Sequence, residues 1–262
     1  ELREYQYPVR KMSSRPMMAR NLLFNEWTET GVNLYGRIGT PVASIDYDVA
    51  VVNGPNGDDG GDTDSIPEIL EVGTGSNPNV GGTGDAKQNR DNNSDRTLIG
   101  RVSANFPMTV VGVSYSKGRY ADTGVVADDL NFSLMGLDAN FRMKGLDIRG
   151  EWAARTADVD LAVVTAPDDE MKSSSYYLQA SYKVGFNRKG VSSYIEPVVR
   201  YDYLEPDDDV SDDERTRTTI GVNYSPYPHF KFMAEWQMNE GPDGAATEPK
   251  DDGFMVSATV DF

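Results

Sequence analysis

The sequence predicts an all-β fold, a transmembrane antiparallel up-and-down β-barrel, on three observations. Apolar and polar residues alternate with a period of two in about eleven segments, and a strand places alternate side chains on opposite faces. The connections alternate between short turns near residues 40, 107, 144, 189 and 227 and longer, acidic loops after 53, 119, 157, 204 and 239. Aromatic residues (Tyr115, Tyr176, Phe186, Tyr201, Tyr203, Tyr224, Phe230) gather near segment ends, where a membrane barrel carries its interfacial girdles.

The 262 residues carry 25 Lys and Arg against 42 Asp and Glu, a formal net charge of −17, and mean hydropathy is −0.53. So acidic a chain repels phosphate backbones, which excludes nucleic acid as a partner. No run of about 18 apolar residues is present, so the sequence contains no transmembrane helix. A barrel needs only alternating strands of about ten residues, and its polar lumen and loops keep mean hydropathy low. Cysteine is absent, which removes disulfides, thiolate nucleophiles and thiolate metal sites. No signal peptide is present and residue 1 is Glu, so the chain is expected to be mature or incomplete.

Residues 1–30 do not alternate. Arg3, Arg10, Lys11, Arg15 and Arg20 lie here against Glu1 and Glu4, a basic segment in an acidic chain. Alternation begins at Val32, Leu34, Gly36 and Ile38, turns at Thr40-Pro41, and resumes at Ile45, Tyr47, Val49 and Val51 until Asn53-Gly54 breaks it. Residues 54–95 are rich in Gly, Asp and Asn without periodicity, a long solvated loop. Leu98 to Phe106 and Val111 to Tyr115 flank Pro107, and loop 119–130 follows. Met135 to Met143 and Leu146 to Ala154 flank Lys144-Gly145, and loop 157–172 follows. Tyr176 to Phe186 and Ile195 to Tyr203 flank residues 187–192. Beyond loop 204–215, whose stretch Glu205–Glu214 is almost wholly acidic, Thr218 to Tyr224 and Phe230 to Met238 flank Pro226-Tyr227-Pro228. Loop 239–252 leads into a last segment in which Phe254, Val256, Ala258, Val260 and Phe262 share one face. The chain therefore divides into residues 1–30 and a strand region over 31–262.

A sandwich could also leave one face of each sheet wet, but a Greek-key sandwich gives no reason for strict short–long alternation of connections. An up-and-down barrel does. On this reading Ile195, Val199, Ile220, Val222, Phe232 and Val256 face lipid. Arg37, Asp46, Asp48, Arg101, Asp138, Arg149, Glu151, Lys183, Glu196, Arg200, Arg217, Lys231 and Glu235 share the opposite parity and are expected to face the lumen.

The terminal segment, closing on Phe262, resembles the last strand of bacterial outer-membrane barrels, in which the terminal Phe is the signal read by the barrel-assembly machinery. Three stretches, Met18-Ala-Arg-Asn-Leu-Leu-Phe24, Gly31-Val-Asn-Leu-Tyr-Gly36 and Ile45-Asp-Tyr-Asp-Val-Ala-Val-Val-Asn-Gly54, resemble the phosphate-selective porin family. There a constriction loop folds into the lumen before a Gly-Val-x-Leu-x-Gly strand and a strand ending in Asn-Gly. The resemblance covers roughly residues 15–54 and Phe262. It implies a barrel of roughly sixteen strands, about eleven of them after the constriction loop. If Phe262 is periplasmic, the first strand of this chain descends from outside, so N-terminal strands are expected to be missing. The family's arginine ladder and lysine-rich lumen are not reproduced, because acidic and basic residues are mixed here.

As a constriction-type loop, residues 1–30 would place Arg10, Lys11, Arg15 and Arg20 around the water path, where a ring of positive charge selects anions. Leu22, Leu23, Phe24 and Trp27 would anchor the segment to the wall. The alternative is a solvated segment of ordinary Arg content. No catalytic constellation is present: the single His229 sits at a short turn, and Asp46/Asp48 share a strand face as wall charges do. Asp58, Asp62 and Asp64, and the run Asp207–Asp213, could hold Ca²⁺ as closely spaced carboxylates. Neither has the spacing of a helix–loop–helix calcium site, and a solvated acidic loop is the competing reading.

The resulting expectation is a non-enzymatic outer-membrane porin that passes small hydrophilic solutes or ions by diffusion, mildly anion-selective and without a cofactor. Its expected partners are membrane lipids, small solutes or inorganic anions and the barrel-assembly machinery, and its expected assembly is a homotrimer. A barrel that sheaths another protein, such as a cytochrome, would need large inward apolar residues. A soluble β-sandwich binding module is the remaining alternative.

Overall fold

The computed structural model describes residues 11–23, 29–54, 96–119, 130–158, 169–188, 190–241 and 252–260. Among these residues one short helix, α1 (Met17–Asn21), precedes twelve strands: β1 (Gly31–Gly39), β2 (Ser44–Val52), β3 (Thr97–Asn105), β4 (Thr109–Arg119), β5 (Asn131–Met143), β6 (Leu146–Asp158), β7 (Glu170–Tyr182), β8 (Val184–Arg188), β9 (Val191–Glu205), β10 (Arg215–Tyr227), β11 (Phe230–Glu240) and β12 (Gly253–Val260). All pair antiparallel in one sheet in sequence order, with β1 and β12 at its two edges. This is an up-and-down meander, the β-barrel connectivity that the alternation and the turn lengths demand.

The eleven alternating segments of the sequence become twelve elements because one is interrupted. β7 and β8 pair with β9 in a single register, Ser181 opposite Val198 and Val184 opposite Ile195. Lys183 falls between them, and its amide donates to the Gly145 carbonyl at 2.8 Å. The short turns are built as hairpin turns require. Lys144 (φ 47°) and Gly145 (φ 90°) both take positive φ between Met143 and Leu146, the two-residue geometry whose twist matches the flanking strands.

The sheet packs against residues 11–23. Lys11 touches Asp147 on β6, while Ser13 touches Ser257 on β12. Five inter-strand spacings separate β6 from β12, and residues 11–13 touch both, so the segment lies across this part of the wall. In a closed barrel the face it covers is the inner one. Ile195, Val199, Ile220, Val222, Phe232 and Val256 are all exposed on the opposite face. Trp236 and Phe254 pair across β11 and β12 there, ring centroids 6.4 Å apart, one of the cross-strand contacts that stabilise a ladder.

The sequence reading contained no helix, and α1 is a five-residue addition to an otherwise all-β set of described elements. Five residues are too few to show a helical period and far below the length at which an isolated helix is stable. Tertiary packing holds it. Met18 and Leu22, four residues apart and so on one helix face, bury against Ala153 on β6 and Tyr177 on β7. Met17 packs on Leu204, and the Asn21 side chain donates to the Met17 carbonyl at 2.8 Å. Among the described residues no helix is long and apolar enough to cross a membrane, which says nothing of strands.

Candidate functional site

The inner face divides into a covered side and an open side. On the covered side, β6, β7, β9, β10 and β11 hold residues 11–23 as a strap, mostly by its backbone. Glu235 accepts the Ser13 amide at 2.8 Å and the Ser14 amide at 3.0 Å through its two carboxylate oxygens. Asp202 accepts the Met17 amide at 3.0 Å. The Arg200 guanidinium donates to the Ser14 carbonyl at 3.0 Å and the Arg15 carbonyl at 3.2 Å, and its Nε binds Asp202 at 2.7 Å. Asn223 donates to the Lys11 carbonyl at 2.9 Å. Each is a charged or amide side chain meeting a backbone group that would otherwise be buried unsatisfied.

Lys11 is a strap cation whose charge is met directly by the wall. Its Nζ lies 2.5 Å from Glu196 and 3.5 Å from Asp147. Ser181 and Asn223 also donate to Glu196, at 3.2 and 3.1 Å. Asp147 also takes Arg149 and Arg142, both at 3.1 Å. The Lys11 ammonium is therefore bound to two carboxylates rather than directed at a water path. Arg15 is half-buried. Arg20 lies in α1, and the described residues include nothing of its side chain; Arg10, Phe24 and Trp27 lie outside them. Of the four apolar anchors named from sequence, Leu22 is buried and Leu23 is partly buried against the same cluster. Met12, Met17 and Met18, buried as well, were not named.

On the open side, β1 to β5 expose inner charges, most of them as pairs. Arg37 binds Asp46 through Nε at 2.5 Å and through a second nitrogen at 2.8 Å. Arg101 on β3 reaches Asp138 on β5 at 2.9 Å, crossing β4 at Gly112. A Cβ there would stand 2.4 Å from the Arg101 guanidinium, so the missing side chain makes the crossing. Asn105 donates to Asp46 at 3.2 Å, and Asn140 donates to Asp147 at 3.0 Å. Asp48 is exposed and stands opposite Arg101 in the ladder.

The remaining wall residues fall on the same face. Glu151 accepts the Tyr177 hydroxyl at 3.0 Å, Arg217 donates to Asn239 at 2.6 Å, and Lys231 is buried. Lys183 is exposed near the short turns, its ammonium 3.8 Å from the Tyr194 ring centroid, a cation–π contact. Sequence reasoning missed Asp147, Arg142, Asp202 and Asn223 as site residues, although their strand parity was available. It also missed that inward Ala153 and Leu204, small or apolar where neighbours are polar, mark where a strap docks.

The acidic loop between β9 and β10 lies at the long-loop end. Glu205, Asp213 and Glu214 bring their carboxylates together, as do Asp207, Asp208 and Asp209. Burial and a hydrogen bond that its protonated carboxyl donates to Glu205 push the Asp213 carboxyl up to about 7. Burial also raises Asp207. Asp58, Asp62 and Asp64 lie outside the described residues, as does Phe262.

The chain is similar to one family model and to several solved structures. The family model described as phosphate-selective porin O and P matches residues 44–260. That match starts after two of the three motifs that carry the sequence resemblance, so it rests mostly on other residues. Among solved structures, an anion-selective porin from Comamonas acidovorans aligns at 13% identity with a TM-score of 0.54, covering 94% of this chain and 61% of that one. A porin structure refined at 1.8 Å aligns at 12% identity with a TM-score of 0.46, covering 88% and 62%. A loop L8 deletion mutant of OmpT, an outer membrane protein of Vibrio cholerae, aligns at 13% identity with a TM-score of 0.44, covering 88% and 91%. At 13% identity the likeness to the Comamonas porin is one of fold. This chain spans about three fifths of the length of the first two. None of the curated proteins matches it.

Proposed function

Because the chain belongs to the phosphate-selective porin O and P family, a family of channels of the bacterial outer membrane, we propose that it builds most of the wall of a diffusion pore. Small hydrophilic solutes and ions pass through a water-filled lumen without a chemical step, with a mild preference for anions. The observation that supports this best is the division of the inner face: a charged, hydrated side is left open while the strap covers the other. A sheath for a second protein would present large apolar residues inward, and here Tyr177 and Leu204 are already covered by α1.

In this proposal residues 1–30 act as the constriction, with Arg10, Arg15 and Arg20 supplying positive potential and Lys11 fastening the segment to the wall. Lipid, the barrel-assembly machinery and two further copies in a homotrimer are its partners. Phe262 is its assembly signal, so Phe262→Ala should lower the amount of heat-modifiable barrel far more than the amount synthesised. The experiment is conductance of the full-length protein in planar bilayers. Stepwise ion conductance with a reversal potential shifted modestly toward chloride under a KCl gradient is expected. Absence of conductance steps from correctly inserted protein would remove the porin reading. An unchanged permeability ratio after neutralising Arg10, Lys11, Arg15 and Arg20 together would remove the strap from the constriction.

A further inference from the structure

We propose that the open side of the inner face is a ladder of acid–base pairs that favours dipolar solutes, carrying one cationic and one anionic group, over simple anions and over neutral solutes of the same size. This rests on the pore reading above and names the solute class for it.

Exposure separates the pairs that can meet a solute from those that cannot. Arg37 and Asp46 are 68% and 33% exposed and Arg101 and Asp138 are 37% and 23% exposed; Arg142 is 59% exposed, but its partner Asp147 is 10% exposed and shared with Lys11 and Arg149. Under the strap, Arg200 and Asp202 are 1% and 0% exposed and Glu196 is 6% exposed. Only the first two pairs, with the Arg142 guanidinium, are open to solvent. Each open pair holds its cation against a carboxylate, so none offers an isolated positive charge.

The two open pairs share one row of the wall. Arg37, Asp46, Ser103, Gly112 and Asp138 fall in one continuous register row across β1 to β5. Arg142, with Asp147, sits four residues further along β5 toward the short turns, about 13 Å on at the rise of a strand. A simple anion approaching Arg101 must compete with Asp138 for the guanidinium and is repelled by that carboxylate. A dipolar solute meets both groups at once, its anionic end on the guanidinium and its cationic end on the carboxylate, so neither wall charge has to be stripped of its partner. A neutral solute gains neither contact. Low-dielectric walls strengthen such local fields.

The test uses the full-length protein in liposomes and planar bilayers, with glycine, its neutral isomer glycolamide and the anion glycolate as probes. Glycine should enter faster than both, by about two-fold or more. Asp138→Asn should abolish the glycine advantage and move the reversal potential toward chloride, and Arg101→Gln should abolish it and move the potential toward potassium. Asp46→Asn, in the neighbouring pair, should act in the direction of Asp138→Asn and stands in for it if that variant fails to insert. Equal entry of glycine and glycolamide into liposomes whose channels conduct overturns the inference alone. So does a glycine advantage that persists in both Asp138→Asn and Arg101→Gln. Loss of all conductance in the unaltered protein overturns the pore reading instead.

Discussion

Arg101 on β3 and Asp138 on β5 are bonded at 2.9 Å across the strand that separates them, and Gly112 on that strand is the residue they pass over. A side chain at Gly112 would meet the mobile ends of both partners, the guanidinium at 2.4 Å and an Asp138 oxygen at 2.9 Å. Gly112→Val therefore lifts the pair into the lumen instead of breaking the backbone. Because a half-exposed ion pair is worth about 0–1 kcal/mol, the barrel's unfolding midpoint should hardly move. Single-channel conductance should fall. A large loss of stability with unchanged conductance would place the pair away from the passage.

Val222 is exposed on the outer face, opposite Pro197 and Ala234 in neighbouring strands. Val222→Arg should cost roughly 2–4 kcal/mol if that position sits at mid-bilayer, measured by urea unfolding of folded protein in lipid. Spin labels at Val222 and Ile220 should be relaxed by oxygen and shielded from aqueous nickel chelates. The reverse accessibility would mean that the sheet faces have been assigned the wrong way round.

The strap is held by its backbone and by one apolar plug. Leu22 is 0% exposed against Ala153 and Tyr177, and Leu22→Ala should weaken docking by about 2–5 kcal/mol. Glu235→Gln removes a carboxylate that takes two amides, at about 1.5–3 kcal/mol for charge-assisted bonds. Both variants should raise conductance and open-channel noise while the strand ladder keeps its thermal stability. Unaltered current in both would show that the strap does not narrow the passage.

Asp213 carries the pH dependence of the β9–β10 loop. Its folded-state value of about 7 lies above the ordinary carboxyl value of 3.8, so the folded loop binds a proton that the open loop releases. That stabilisation is complete below about pH 4 and is lost as pH rises toward and through about 7, when Asp213 ionises beside Glu205. Hydrogen exchange across residues 206–214 should quicken between pH 5 and pH 8 by more than the intrinsic base catalysis of exchange. Asp213→Asn should flatten the excess, and an excess equal in both proteins would count against the assignment.

Strand parity, the short–long rhythm of the connections and the outward set from Ile195 to Val256 were legible in the sequence. A period of two is written residue by residue, and a one-residue slip would invert every face. The break at Lys183 was not legible, because it depends on a hydrogen bond to Gly145 in another hairpin. Nor was α1, whose five residues are helical only because Ala153 and Tyr177 receive Met18 and Leu22. The sequence alone determined which residues share one face of the sheet and that their charges are mixed. Which of those charges meet each other was decided by the tertiary structure alone. Lys11 finds Glu196 across 185 positions of chain, and Arg101 finds Asp138 only where β4 offers a glycine. The physical reason is that alternation is a local property of the backbone, whereas the pairing of charges depends on how the whole sheet packs against its strap.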